Sequence, residues 1–359
     1  MVSLLDCIKR VPSIVDHIID SRDENFKSLF DKMGDNIDKI DEIIFIGSGT
    51  SNTSAITAKY FTEKASGIRV TVLFPNEFLH DITVRNKNAL YVFTSQTGTS
   101  IVTKECLEYV KNMGFLTAAI SESGNTPIAK MADIYIDMGC GREEYPTRTI
   151  GYSSSVLVQM LLGLEMGRKR NYLTAEQYND YVEEAKQVST SMKEIIEKTM
   201  SWMDFGKRKM LRSTCIIFTG VGSLYGVSLE GAVKVWEIPQ IVSAGYELEE
   251  GIHGPNYGYN HNHCVIVLND GGRENQKATA LASYMKNEMK NGFVVGVNAN
   301  GKDDLSFEPK GGAFLCLEFA AVVQVIAYRL GHDGGRDLFA PHNNSVMESY
   351  FVSHSEKIC

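Results

Sequence analysis

Three charged residues lie on one stripe of a predicted helix in the second half of the chain. The segment "SLEGAVKVWE", residues 228–237, places Glu230, Lys234 and Glu237 at positions i, i+4 and i+7, which a helix brings onto one face. Such a stripe is typical of a solvated surface, where a Glu–Lys pair contributes only about 0.2–0.5 kcal/mol. A carboxylate beside an ammonium group can also move a proton and stabilise an oxyanion. This segment alone favours the solvated surface, so the catalytic interpretation needs support from the rest of the chain.

Hydroxyl side chains follow two predicted strands in the first half. The run "IIFIG" leads into "SGTSNTS", and "ALYVFT" leads into "SQTGTS" at residues 95–100. Ligands of open parallel sheets bind outside the carboxyl ends of the strands, where the amides of the next helix attract anions. One Ser or Thr is enough to cap a helix, and four hydroxyls within six residues exceed that need. We predict that these loops hold a phosphate.

Short apolar runs alternate with longer helical patterns along the whole chain, which predicts parallel sheets covered by helices, an α/β class. The segment "IIFIGSGTS" at 43–51 recurs as "IIFTGVGSL" at 216–224, and two further segments recur in the same order. This order predicts an internal duplication of a whole domain. In the second copy, Asn269 and Asp270 replace Ser95 and Gln96. Because an aspartate repels a phosphate, the anion site is expected in the first domain alone.

The organisation that we predict has four segments. They are a helical N-terminal segment (1–30), a first domain (31–172), a connecting helix (173–204) and a second domain with the C-terminal tail (205–359). The connecting helix has helical periodicity and a capping signal at Thr174 and Gln177.

Composition narrows the class of partners. The 359 residues carry a net charge of −8 and are 43% hydrophobic, and no block of Lys or Arg indicates binding to nucleic acid or to a membrane. No signal peptide and no apolar run of membrane-spanning length is evident, which predicts a cytoplasmic protein. The seven cysteines are scattered singly, and His261 and His263 lack further ligands. We therefore expect no metal and no cofactor.

Four motifs together resemble a known family. "GSGTSNTSA", "TSQTGTS", "SLEGAVKVWE" and "GIHGP" are similar, in this order, to the double sugar-isomerase (SIS) domain proteins, which include the isomerase half of glucosamine-6-phosphate synthase. The resemblance implies two tandem SIS domains, each a flavodoxin-like three-layer α/β/α structure with a parallel sheet. It also implies a small sugar phosphate as the ligand and a homodimer as the active form.

The resemblance assigns roles to individual residues. The implied catalytic residues are Glu237 as the proton-shuttling base, Lys234 as the group that neutralises oxyanion charge, Glu230 as its orienting partner and His253 as the ring-opening group supplied by the other subunit. The implied substrate and phosphate contacts are Gly49, Thr50, Ser51, Ser95, Gln96, Thr97, Ser100, Thr147, Arg148 and Asn344. Arg148 departs from the small residue usual in the family, so a charged or planar substrate group is its expected partner.

Two departures from the synthase pattern set the expected reaction. Val2 follows Met1 where a glutaminase domain would offer a cysteine, and Asn344 falls where the synthase has a lysine that forms an imine with the ketose. We therefore expect a deglycase or deaminating isomerase acting on an amino-sugar or Amadori-type sugar 6-phosphate, as in the fructoselysine and glucoselysine 6-phosphate deglycases. The alternatives are an aldose–ketose isomerase, a synthase-like isomerase without glutaminase, and a non-enzymatic sugar-phosphate sensor.

Overall fold

The computed structural model describes residues 2–339, 344–347 and 349–355. Contacts divide the chain into two compact units. The first domain comprises Ser13–Val182 together with the described residues from Phe339 onward, and the second domain comprises the residues up to Pro12 together with Glu183–Leu338.

The first domain contains a five-stranded parallel sheet of strand order β2-β1-β3-β4-β5. Its strands are β1 (Glu42–Ile46), β2 (Arg69–Leu73), β3 (Ala89–Thr94), β4 (Thr117–Ser121) and β5 (Ile134–Asp137). Its helices are α2 (Arg22–Asn25), α3 (Lys27–Met33), α4 (Thr50–Ser66), α5 (Ile101–Asn112), α6 (Pro127–Met131) and α7 (Ile150–Lys169), and α1 (Leu4–Asp20) begins in the second domain and ends in the first.

The second domain repeats this topology with strand order β10-β9-β8-β6-β7. Its strands are β6 (Cys215–Gly220), β7 (Ser243–Glu247), β8 (His263–Asn269), β9 (Gly292–Gly296) and β10 (Leu305–Ser306). In chain order, the helices after α7 are α8 (Ala175–Met210), α9 (Ser223–Glu237), α10 (Leu248–Gly251), α11 (Asn275–Asn287), α12 (Cys316–Asp333) and α13 (Asn344–Met347). Of these, α8 begins in the first domain and α13 belongs to it. Within both sheets the neighbouring strands of the described residues pair in parallel, so the predicted class of two parallel sheets flanked by helices is confirmed.

Both faces of the first sheet are buried, which explains why its strands read as continuous apolar runs rather than alternating ones. Tyr91 and Phe93 pack with Leu107 and Val110 of α5. Leu90 and Val92 point to the opposite face and are also fully buried. Each such side chain contributes about 1.5–3 kcal/mol when it leaves water. Helices must therefore cover the sheet on both sides, as the three-layer prediction requires.

The connecting helix begins as its capping signal predicts. The Thr174 amide donates to Gln177 Oε1 at 3.0 Å, and the Gln177 amide donates to Thr174 Oγ1 at 3.2 Å. These reciprocal bonds form a capping box. The helix continues to Met210, six residues beyond the predicted end at 204.

The C-terminal tail differs from its predicted assignment. We placed it with the second domain, whereas its described residues group with the first domain by contacts. The physical reason is backbone pairing: the Ile101 amide donates to the Ser353 carbonyl, and the Ser355 amide donates to the Thr99 carbonyl. Pairing across more than 250 residues leaves no local signal in the sequence.

We expected no apolar segment of membrane-spanning length, but one helix of the second domain has that length and composition. The span 312–333, which contains α12, is long and apolar enough to cross a membrane by length and composition. However, 83% of its apolar window is buried inside the structure. Val323 of α12 lies beside Gly231 of α9, where an added Cβ would approach it to 3.2 Å. The apolar composition of α12 is thus that of a helix packed in a domain core.

Candidate active site

The first predicted phosphate loop follows β1 at the point where the strand order of the sheet reverses. Ile46 of β1 pairs with Phe93 of β3, so the loops after both strands leave the sheet side by side. Gly49 has φ of 57° and precedes α4 with no side-chain cap hydrogen bond. Thr50 and Ser51 begin the helix and are partly exposed. The helix start is therefore placed as an anion site requires.

Backbone hydrogen bonds fix the second predicted loop, residues 95–100. The Ser95 amide donates to the Ile120 carbonyl at 3.1 Å, and the Gln96 carbonyl accepts from the Glu122 amide at 3.0 Å. Ser95 and Gln96 are buried, whereas Thr97 and Ser100 are partly exposed. The loop thus has a fixed backbone and presents hydroxyls at its rim.

A buried carboxylate organises the loop that contains Thr147 and Arg148, which we call the third loop. Glu143 Oε1 accepts hydrogen bonds from the Thr149 amide (2.8 Å), the Thr149 hydroxyl (2.9 Å) and the Ile150 amide (3.0 Å), and Glu143 Oε2 accepts from the Gly151 amide (3.1 Å). A carboxylate at the start of α7 satisfies its orphan amides and complements the helix dipole. This role of Glu143 was missed in the sequence.

Gln96 joins the second loop to the third. Its Nε2 donates to Glu143 Oε2 at 3.5 Å, and its Oε1 is buried without a hydrogen-bond partner in the described structure. A Cβ added to Gly151 would come within 1.9 Å of that oxygen. Close approach of Gln96 to α7 therefore requires glycine at 151. The side chain of Gln96 is therefore fixed between the second loop and the start of α7.

Thr147 and Arg148 both lie in the third loop, and they differ from each other in exposure. Thr147 is buried, and Arg148 is partly exposed. Arg148 Nη1 donates to the carbonyls of Glu143 (3.2 Å) and Tyr145 (3.4 Å). Its guanidinium is therefore anchored by its own loop and carries a positive charge to the rim of the site.

Glu122 is a second residue of this region that the sequence did not reveal. Burial raises the pKa of its carboxyl, while a hydrogen bond from Gln96 and the charge of Arg148 limit the rise. The signal was present in "AISESG", where Glu122 directly follows β4. An acidic residue after a strand is common in loops, so no pattern in the sequence distinguishes Glu122.

The charged stripe of the second domain is buried rather than solvated. Lys234 and Glu230 are fully buried, and the Lys234 ammonium lies 3.1 Å from Glu230 Oε1 and 2.6 Å from Glu237 Oε2. The side chain of Glu237 is 41% exposed. This arrangement rules out the solvated-surface interpretation for Glu230 and Lys234. It leaves Glu237 as the one carboxylate of the three that solvent can reach.

The two carboxylates keep Lys234 charged. Burial by itself would lower the pKa of Lys234, but Glu230 and Glu237 raise it above its ordinary value. A protonated lysine cannot attack a carbonyl as a nucleophile. It can neutralise negative charge next to it.

His253 lies in the turn after α10 and is exposed over 64% of its side chain. Its Nδ1 is 2.9 Å from the Glu249 carbonyl and 3.3 Å from Glu249 Oε1. No hydrogen bond or ion pair joins it to Glu237 among the described residues. Contribution of His253 by a second subunit therefore stays a prediction.

Asn344 is the first residue of the short helix α13. Its side chain lies outside the described part of the structure. Its predicted position near the substrate therefore stays a prediction.

Known proteins similar to this chain share the sugar-isomerase architecture. Residues 36–164 match the family model of the SIS domain. The isomerizing glutamine–fructose-6-phosphate aminotransferase of Fusobacterium nucleatum is 26% identical over 349 residues, which cover 94% of this chain and 56% of that protein. The chain thus spans about half the length of the curated relatives that it matches.

Solved structures give the same picture for the fold. The C-terminal domain of glucosamine-fructose-6-phosphate aminotransferase from Francisella tularensis has a TM-score of 0.85 and 21% identity, with 94% of this chain and 97% of that chain covered. Glucosamine-6-phosphate deaminase from Thermotoga maritima has a TM-score of 0.69 and 22% identity, with 92% and 97% covered. Residues 36–164 therefore match the SIS domain family, and the chain as a whole shares its fold with the C-terminal domain of that aminotransferase.

Proposed function

We propose that the protein is an enzyme that releases an amine from an amino-sugar or Amadori-type sugar 6-phosphate. The observation that carries the proposal is the buried Glu230–Lys234–Glu237 group, in which a charged lysine holds one carboxylate that solvent can reach. Burying a lysine and a glutamate costs several kcal/mol per ion before pairing offsets it, so a stripe of this kind is a functional candidate.

The first domain would bind the phosphate. Loop residues 95–100 supply hydroxyls and helix-terminal amides, and Arg148 adds a positive charge at the rim. The acidic net charge of the chain does not oppose this, because the donors act locally. Gln96, which the family resemblance assigns to the substrate, would contact a sugar hydroxyl.

The second domain would supply the proton chemistry. His253 would open the sugar ring by proton exchange, because an imidazole can both donate and accept a proton. Glu237 would then remove a proton from the carbon next to the carbonyl or imine carbon and return it to the neighbouring carbon, through an enolamine. Lys234 would offset the negative charge that develops on oxygen. Water would hydrolyse the resulting imine, which releases the amine and a hexose phosphate.

Asn344 supports amine release over synthesis. An amide side chain cannot form an imine with a ketose, so the lysine chemistry of the synthase is absent at that position. The proposal includes a metal-free, cofactor-free reaction in the cytoplasm by a homodimer that shares His253 between subunits. The fold that this chain shares with a glucosamine-6-phosphate deaminase supports a deaminating enzyme.

A substrate panel tests the proposal. The protein is incubated with fructoselysine 6-phosphate, glucoselysine 6-phosphate, glucosamine 6-phosphate and fructose 6-phosphate, and both free amine and hexose phosphate are measured. Amine release from one of the nitrogen-bearing sugars supports the proposal. Interconversion of ketose and aldose phosphates without amine release would replace it with the isomerase alternative, and binding without turnover would replace it with the sensor alternative.

The phosphate contacts make a separate prediction. We expect the double variant Ser95→Ala, Thr97→Ala to raise KM for a phosphorylated substrate by at least about tenfold, because a hydrogen bond to a charged group contributes about 1.5–3 kcal/mol. The measurement is steady-state kinetics with kcat and KM determined separately. Ser223→Ala, at the start of α9 in the second domain, is the matched control and should leave KM unchanged. An unchanged KM in the double variant would place the phosphate elsewhere.

A further inference from the structure

The described C-terminal residues lie along the anion loop of the first domain. The Ile101 amide donates to the Ser353 carbonyl at 3.1 Å, and the Ser355 amide donates to the Thr99 carbonyl at 2.8 Å. Between these bonds, His354 forms an antiparallel bridge with Ser100. Backbone pairing on both sides therefore fixes His354 against the loop that we assign to the phosphate.

A chain of side-chain hydrogen bonds runs from this histidine into the loop. His354 Nδ1 lies 3.0 Å from Thr99 Oγ1, and Thr99 Oγ1 lies 2.8 Å from Thr97 Oγ1. Thr99 is buried, with 5% exposure, whereas Thr97 is partly exposed at the rim. These two hydrogen bonds therefore connect the titratable imidazole of His354 to the Thr97 hydroxyl, which faces the site.

The direction of these bonds depends on the charge of the imidazole. A neutral ring can accept the Thr99 proton at Nδ1, which leaves Thr99 Oγ1 to accept the Thr97 proton. In the imidazolium both ring nitrogens donate, so Nδ1 donates to Thr99 Oγ1 and the Thr99 proton turns to Thr97 Oγ1. The Thr97 proton is then available to a ligand. One proton on His354 thus adds one outward donor to the loop.

We propose that His354 is a positioning residue for the anion loop, and that its protonation turns the Thr97 hydroxyl into a donor for the bound anion. This inference rests on the proposed function only in that it takes residues 95–100 as the phosphate loop. Its content is that anion binding is coupled to proton uptake at a residue near the C-terminus.

The electrostatic surroundings are consistent with this coupling. Burial lowers the pKa of His354, and the positive charge of Arg148 lowers it further. Among the described residues, Arg148 is the charged group that shifts the pKa of His354. Both effects favour the neutral imidazole. A bound anion favours the imidazolium, so its pKa rises on binding and affinity increases as pH falls.

Sulfate is the probe, because it keeps two negative charges between roughly pH 5 and pH 8 whereas a sugar phosphate titrates in that range. We expect the wild-type protein to bind sulfate at least about fivefold more tightly at pH 5.5 than at pH 8, the effect of one added charge near the surface. Binding is followed by NMR, which also gives the pKa of the His354 ring with and without sulfate. The His354 resonance is identified by its loss in His354→Gln, and its pKa should rise when sulfate is added.

Three variants isolate the coupling. His354→Gln and Thr99→Val should both lose the pH dependence, since one removes the proton and the other removes the hydroxyl that relays it. Thr99→Val keeps the histidine, so it tests the relay independently of the tail. His261→Gln, an exposed histidine of the second domain, is the matched control and should bind sulfate as the wild type does.

The outcomes separate this inference from the proposed function. Sulfate binding that is lost in Ser95→Ala, Thr97→Ala but keeps its pH dependence in His354→Gln or Thr99→Val would overturn the role of His354 alone. Binding that does not respond to Ser95 and Thr97 at all would overturn both the relay and the phosphate loop. Loss of pH dependence in both relay variants, with the His354 pKa raised by sulfate in the wild type, supports the inference.

Discussion

Glu237→Gln is expected to lower kcat for amine release by about 10²- to 10⁴-fold, the contribution of a positioned general base. The amide keeps the size of the side chain but cannot take up a proton. Lys234 remains paired with the buried Glu230 at 3.1 Å, so the variant should fold. The measurement is kcat with the best substrate of the panel, together with the Kd of that substrate.

The Kd in Glu237→Gln should stay within about threefold of the wild type, because the proposed phosphate contacts lie in the first domain. Glu288→Gln is the matched control: Glu288 is also an exposed glutamate at the end of a helix, α11. It should leave both kcat and Kd unchanged. Wild-type turnover in Glu237→Gln would remove Glu237 from the mechanism.

Much of the fold was accessible from the sequence because the signals are local. Continuous apolar runs such as "ALYVFT" indicated strands buried on both faces, and β3 is indeed buried along its whole length. Thr174 and Gln177 indicated the start of α8 through a capping box whose two members are only three positions apart. Periodicity and caps are properties of neighbouring residues, so one sequence is enough to detect them.

The candidate site was only partly accessible, because burial and distant pairing leave no pattern in a single sequence. The spacing of Glu230, Lys234 and Glu237 is the same on a solvated face and in a buried group, and only the packing around α9 distinguishes the two. Glu143 and Glu144 are adjacent and chemically identical. The structure alone shows that Glu143 caps α7 while Glu144 is exposed. His354 is separated from Thr99 by 255 residues.

Lys234→Met is expected to destabilise the second domain by about 3–5 kcal/mol, the usual consequence of removing one partner of a buried ion pair. Methionine fills a similar volume, so little of the loss would come from a cavity. The loss would come from Glu230, which is fully buried and would keep its charge without the lysine. Both tryptophans, Trp202 and Trp236, belong to the second domain. Urea unfolding followed by tryptophan fluorescence therefore reports this domain.

The pH dependence gives this prediction a definite sign. In the wild type the folded-state pKa of Lys234 is raised, so its stabilising effect is complete below its ordinary pKa and is lost only as pH rises through the higher folded value. Lysine titration therefore does not alter wild-type stability between pH 5 and pH 8. In Lys234→Met the Glu230 carboxyl, which has lost the lysine, is expected to take up a proton as pH falls, which removes the buried charge. The stability difference between the two proteins should be smaller at pH 5 than at pH 8.

The double variant Glu230→Gln, Lys234→Met separates a buried charge from a packing defect. It removes both buried charges, and neutral side chains of similar volume often restore the stability of a buried pair. We expect it to recover most of the loss at pH 8 and to show no difference between pH 5 and pH 8 that is specific to this site. A double variant as unstable as Lys234→Met would mean that packing, and not an uncompensated Glu230 charge, causes the loss. The proposed role of Lys234 as the counter-charge of two carboxylates would then be wrong.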